Sequence, residues 1–195
     1  MKGYQKLLSM FSSTKTEVVE KNQTVAQFNP LDAKIGSVVK IDEIDFRDKR
    51  FTVSRIDFHE VPMNESKFWF TDYVLDGNKI KVRYIEDSVI VLKLDDEFEY
   101  NEDFHNVVKS DDKKFVIDDE NTNEHAEFWR VNDVGISYSS RINDTRSIEF
   151  WDYSRMTYID GVEVEEFVIV EIDNKNGWTE IWRGLEVPKE DINVY

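Results

Sequence analysis

FWFTDYVLDGNKIKVRYIEDSVIVLKL, residues 68–94, decides the fold class. Ile80, Val82 and Tyr84 alternate with Lys81 and Arg83, the period of two that marks a half-buried strand. Ile90, Leu92 and Leu94 make one face of the next segment while Val89 and Val91 fill the other, so that segment reads as a central strand covered on both sides. Asp76-Gly77 joins residues 68–75 to 79–85. Such a pair suits a type I′ turn, which needs positive φ at both central residues. The same device recurs downstream. Asp160-Gly161 joins 156–159 to 162–172, and Asn176-Gly177 joins that long segment to 178–183.

Several apolar runs change phase. Val39 and Ile41 give way to Ile44 and Phe46, Phe51 and Val53 to Ile56 and Phe58, and Trp129 and Val131 to Val134, Ile136 and Tyr138. A phase change inside a strand pattern predicts a β-bulge or tight turn, here near Asp42-Glu43, Ser54-Arg55 and Asn132-Asp133. Two parts of the chain also share an order: an aromatic, then Asp and Tyr (Asp72-Tyr73, Asp152-Tyr153), an Asp-Gly turn, and an apolar strand. The expected fold is therefore mainly β, with antiparallel meanders forming one or two small barrel- or sandwich-like lobes and a short N-terminal helix. The expected organisation is an amphipathic helix and linker over 1–30, a first β lobe over 31–108 and a second over 109–195, or a single unit over 31–195.

Composition narrows the function classes. The 195 residues hold 25 Lys and Arg against 41 Asp and Glu, a formal charge of -16, which opposes direct nucleic-acid binding through a basic patch. No Cys is present, so there is no disulfide scaffold, thiolate metal site or catalytic cysteine. Aromatics at 13% are too many for a wholly disordered chain. No apolar run is long enough for a spanning helix or a secretory signal, and the expected location is cytoplasmic, peripheral to the inner face of the membrane. The charge is uneven. Residues 1–30 carry four Lys and two Glu, while 31–195 carry 21 basic and 39 acidic side chains. Within the basic end, Tyr4, Leu7, Leu8 and Phe11 follow the spacing of one helix face, which could meet an anionic membrane or a protein partner.

Motifs for chemistry are sparse. Asp119-x-Asn121-x-Asn123 opens like a calcium loop, but Glu124 and Arg130 stand where Gly and Glu are needed. The acidic clusters between Asp95 and Glu120 read as a solvated face. His59, His105 and His125 show no ligand spacing, so neither metal nor cofactor is expected. Phe-Trp occurs three times, at Phe68-Trp69, Phe128-Trp129 and Phe150-Trp151, and strand geometry places each pair on opposite faces. Trp178, Glu180 and Trp182 share one face of the last hairpin, and an aromatic face with a carboxylate could grip a sugar or a peptide.

Ile35-Gly36-Ser37-Val38-Val39-Lys40-Ile41, Asp72-Tyr73-Val74-Leu75 and Gly177-Trp178-Thr179-Glu180-Ile181-Trp182-Arg183-Gly184 together resemble a bacterial family of uncharacterised proteins. Members of that family pair a Gly-Ser/Asp-x-Val strand opening with a later Tyr-x-Leu strand. Their genes often neighbour those for membrane-stress proteins akin to phage-shock protein A. The resemblance implies a non-enzymatic, envelope-associated role and carries no catalytic residue.

The function expected from these readings is that of a non-enzymatic binding or adaptor protein with a protein partner, touching a membrane surface or partner through Tyr4, Leu7, Leu8 and Phe11. Two alternatives stand beside it. One is an acidic inhibitor of a basic partner. The other is a carbohydrate-binding or carbohydrate-processing protein using Trp178, Glu180 and Trp182.

Overall fold

The computed structural model describes residues 28–195 apart from 43–45, 48, 63–66, 87, 100, 120–123, 132–134, 142–143 and 174–175. The Asp-Gly turns form as their chemistry requires: Asp76 and Gly77 have φ of 43° and 71°, and Asp160 and Gly161 have 50° and 80°. The third turn differs. Gly177 has φ of 67°, and the amides of Asn176 and Gly177 both donate to the Asp173 carbonyl. The strands are β1 (Val38–Ile41), β2 (Arg50–Pro62), β3 (Lys67–Leu75), β4 (Ile80–Ile85), β5 (Ser88–Phe98), β6 (Lys114–Asp119), β7 (Glu124–Arg130), β8 (Gly135–Arg141), β9 (Asp144–Ile159), β10 (Val162–Asp173), β11 (Trp178–Val187) and β12 (Ile192–Val194), and one helix, α1 (Glu102–Lys109), follows β5.

All pairings are antiparallel, and the strands form one sheet. Eleven lie in the order β12-β1-β2-β3-β4-β5-β11-β10-β9-β7-β6, and β8 lies off that path, bridging β9 and residues 58–60 of β2. This corrects the expected one or two small barrel- or sandwich-like lobes to a single twelve-stranded sheet. β11 follows β10 in the chain yet also pairs β5, so the early and late meanders share one hydrogen-bonded sheet. Period-two patterning shows that a strand exists, and it carries no information about which distant strand becomes its neighbour. The helix found is α1, at 102–109. Residues 1–27, where a helix was expected, lie outside the described residues.

α1 was read in the sequence as part of an acidic surface. Its termini nonetheless carry helix chemistry: the Asn101 side chain accepts from the Phe104 amide, Glu102 and Asp103 occupy the first turn, and Lys109 the last. The phase change at Ser54-Arg55 is a register shift between β2 and β3, as the pattern predicts. Those at Asp42-Glu43 and Asn132-Asp133 touch residues outside the described set. A second register shift lies between Ile181 and Trp182 of β11, where it pairs β5.

The sheet buries apolar side chains on both faces. One face carries Val61, Phe68, Phe70, Ile85, Ile90, Leu92, Phe150, Phe167, Ile169 and Trp182. The opposite face carries two clusters. The first lies over β2–β5, where Ala33, Val39, Ile41, Phe46 and Ile192 cover Tyr73, Val82 and Val91. The second lies over β9–β11, where Val108 of α1 and Ala126 and Phe128 of β7 cover Trp151, Tyr153, Val168 and Val170. Of the Phe-Trp pairs, only Phe150-Trp151 is buried on both faces. Trp69 is 36% and Trp129 59% exposed while their Phe neighbours are buried.

Candidate functional site: a charged core and its polar cavity

Alternation in β4 predicts that Lys81 and Arg83 face water. They do not: both are buried, with relative exposures of 2% and 1%. They point to the same side as the Phe70–Trp182 cluster and meet carboxylates from two other strands. Arg83 makes a bidentate pair with Asp72, with Nε and Nη2 each 2.8 Å from a carboxylate oxygen, and its Nη2 also donates to Glu171. Lys81 Nζ lies 2.7 Å from Glu171, 3.5 Å from Asp72 and 3.9 Å from Glu180, and 4.0 Å from the centroid of the Trp182 ring. The guanidinium of Arg83 covers the Phe70 ring at 4.5 Å, and the His59 ring stacks on the same residue at 4.2 Å with Nε2 3.4 Å from Asp72. Aromatic faces thus close the network against water and add cation–π attraction.

The electrostatics follow from burial opposed by proximity. Burial alone would raise the Asp72 carboxyl above its usual range, but Arg83, Lys81 and hydrogen bonds from Arg83 and His59 hold it well below. For Glu171 burial again acts upward, and Lys81 and Arg83 overcome it, leaving the group at about 2. Both carboxylates are therefore ionised at neutral pH, and the core is a set of fixed charges.

The network opens to solvent at one end through a polar cavity of about 210 Å³. Its walls include Arg55, Asn78, Glu97, Glu171, Asp173, Asn176, Trp178 and Glu180. Strand register builds the wall: Glu97 of β5, Glu180 of β11 and Glu171 of β10 stand directly opposite one another, and Asp173 faces Trp178 in the next row. Like charges so placed repel. Lys81 beneath them offsets part of that repulsion, and Trp182 Nε1 donates to Glu180 Oε2 at 2.9 Å.

Trp178 and Glu180, singled out from the sequence, thus both line the cavity. Trp182 does not; it is fully buried below, where it orients Glu180 and covers Lys81. Tyr4, Leu7, Leu8 and Phe11 lie outside the described residues. Sequence reasoning missed Asp72, Lys81, Arg83 and Glu171, because a charge alternating with apolar residues has the pattern of a solvated face. His105 hydrogen-bonds Thr179 Oγ1 through Nε2 at 2.9 Å, and burial, with Lys109, lowers its pKa. Among the described residues, no group of three or more His, Asp or Glu side chains is placed to hold a metal ion.

A scan against protein-family models, a search of curated proteins and a search of solved structures each returned no match. Among the described residues, no helix is long and apolar enough to cross a membrane. The chemistry of the cavity therefore rests on its own residues. They offer carboxylate acceptors, a guanidinium donor and an aromatic wall from the strands, and two carboxamides from the turns at Asn78 and Asn176.

Proposed function

We propose that this protein is a non-enzymatic binding protein whose polar cavity takes a polyhydroxylated ligand of monosaccharide size. The observation that carries the reading is the cavity wall itself. Hydroxyl groups need acceptors and donors in fixed positions, which Glu97, Glu180, Asn78, Asn176 and Arg55 supply, and a sugar ring has an apolar face for the Trp178 side chain. The cavity volume of about 210 Å³ suits one ring rather than a chain of them. Calorimetric titration of the full chain with a panel of monosaccharides tests this. At least one should bind, with tenfold or greater loss in Trp178→Ala and in Glu180→Gln; no heat from any sugar at millimolar concentration overturns it.

The charge contrast between residues 1–30 and the remainder supports a separate proposal, docking of residues 1–13 on an anionic membrane. Co-sedimentation with anionic liposomes should pellet the full chain and leave a chain lacking residues 1–13 in solution. Equal, negligible pelleting of both counts against it.

A further inference from the structure

The two cavities of the sheet differ in how their charges are matched. The larger, about 360 Å³ on the side opposite the charged core, is lined by Lys93 and Arg183 against Asp95 and Glu166, an even count. The polar cavity is lined by one guanidinium, that of Arg55, against the carboxylates of Glu97, Glu171, Asp173 and Glu180.

The cations around the polar cavity are already engaged. Arg55 donates through Nε to Asp57 at 2.8 Å and through Nη1 to Asn78 at 3.0 Å. Beneath the wall, Lys81 and Arg83 are matched by Asp72 and Glu171. Glu97 and Glu180 remain. They stand opposite each other on β5 and β11; among the described residues no cation pairs with Glu97, and Glu180 has Lys81 Nζ at 3.9 Å.

Like charges on facing strands repel, and a cation entering between them removes that cost. An ammonium group suits the place. It brings three N–H donors to oxygens that can only accept, and hydrogen bonds between charged partners are about twice as strong as neutral ones. Trp178 lies two residues before Glu180 in the same wall, and an aromatic side chain attracts a cation as well as the apolar face of a sugar ring.

Resting on the monosaccharide reading above, we propose that the ligand is an amino sugar, bound with its ammonium between Glu97 and Glu180 and its hydroxyls toward Arg55, Asn78 and Asn176.

Calorimetric titration of the full chain, at low salt and slightly acidic pH where the amine is protonated, tests the assignment. Glucosamine, galactosamine and mannosamine are each compared with the parent hexose and the N-acetyl derivative. At least one amino sugar should bind, tenfold or more tightly than both of its neutral counterparts. Glu97→Gln, at an exposed position, keeps an acceptor and removes the charge; it should weaken that amino sugar at least fivefold. Circular dichroism establishes that the variant is folded. Equal binding of an amino sugar and its parent hexose, or full affinity for the amino sugar in folded Glu97→Gln, overturns the assignment and leaves the monosaccharide reading standing. No binding of any sugar overturns both.

Discussion

Lys81 is the residue on which the charged core depends most. Its ammonium is shared between Glu171, Asp72 and Glu180, and Trp182 covers it from the remaining side. Replacing it with Met would keep the apolar stem but leave carboxylates buried without one of their two cations. Breaking a buried pair in this way costs about 3–5 kcal/mol. Denaturant unfolding of Lys81→Met should show a loss of that size, and the further change Glu171→Gln should restore part of it. The sign of the pH dependence is equally definite. The Glu171 carboxyl is held at about 2 rather than 4.5, so its contribution is complete above pH 4.5 and is lost as pH falls through 2. Asp72, also held low, acts in the same direction. Stability measured from pH 6 to pH 2 should therefore fall less steeply in Glu171→Gln than in the parent chain.

At the scale of elements, β11 carries more constraints than its sequence advertises. It pairs β10 on one side and β5 on the other, shifts register between Ile181 and Trp182, and bears residues of both cavities. Gly184 lets it lie close to β5. A Cβ added there would stand 1.8 Å from the Val91 carbonyl oxygen, a backbone atom that cannot move alone. Gly184→Ala should therefore destabilise the protein by about 2–3 kcal/mol, the cost of forcing an extra carbon into packed structure. A denaturation midpoint within error of the parent would show that β11 can move away instead. α1 illustrates the opposite case. Asn101, Glu102, Asp103 and Lys109 are a helix-terminus signature that could have located it in the sequence, although eight residues are too short for the apolar period to stand out.

Across the whole molecule, the central strands should be the last to open. β5, β11 and β10 are paired on both sides, and residues 88–92 of β5 and 165–173 of β10 are buried throughout, whereas β12 and β6 end the sheet path. Native-state hydrogen exchange should be slowest at amides of residues 89–92 and 167–172, and fastest among the strands at 114–119 and 192–194. Uniform protection from one end of the sheet to the other would contradict this.

Much of this was legible beforehand. Alternation around Ile80–Ile85 and the Asp-Gly pairs at 76–77 and 160–161 determined, by backbone preference alone, that strands form there and where they reverse. Composition determined that the body is acidic and lacks cysteine chemistry. Tertiary structure decided the rest. Whether Lys81 and Arg83 face water or a buried Asp72 and Glu171 depends on which strands close over them, and those partners lie up to 90 residues away. A local pattern records the side of the strand on which a charge sits. Only the assembled sheet determines whether that side is solvent, and so turns Trp178 and Glu180 from a hairpin face into the wall of a cavity.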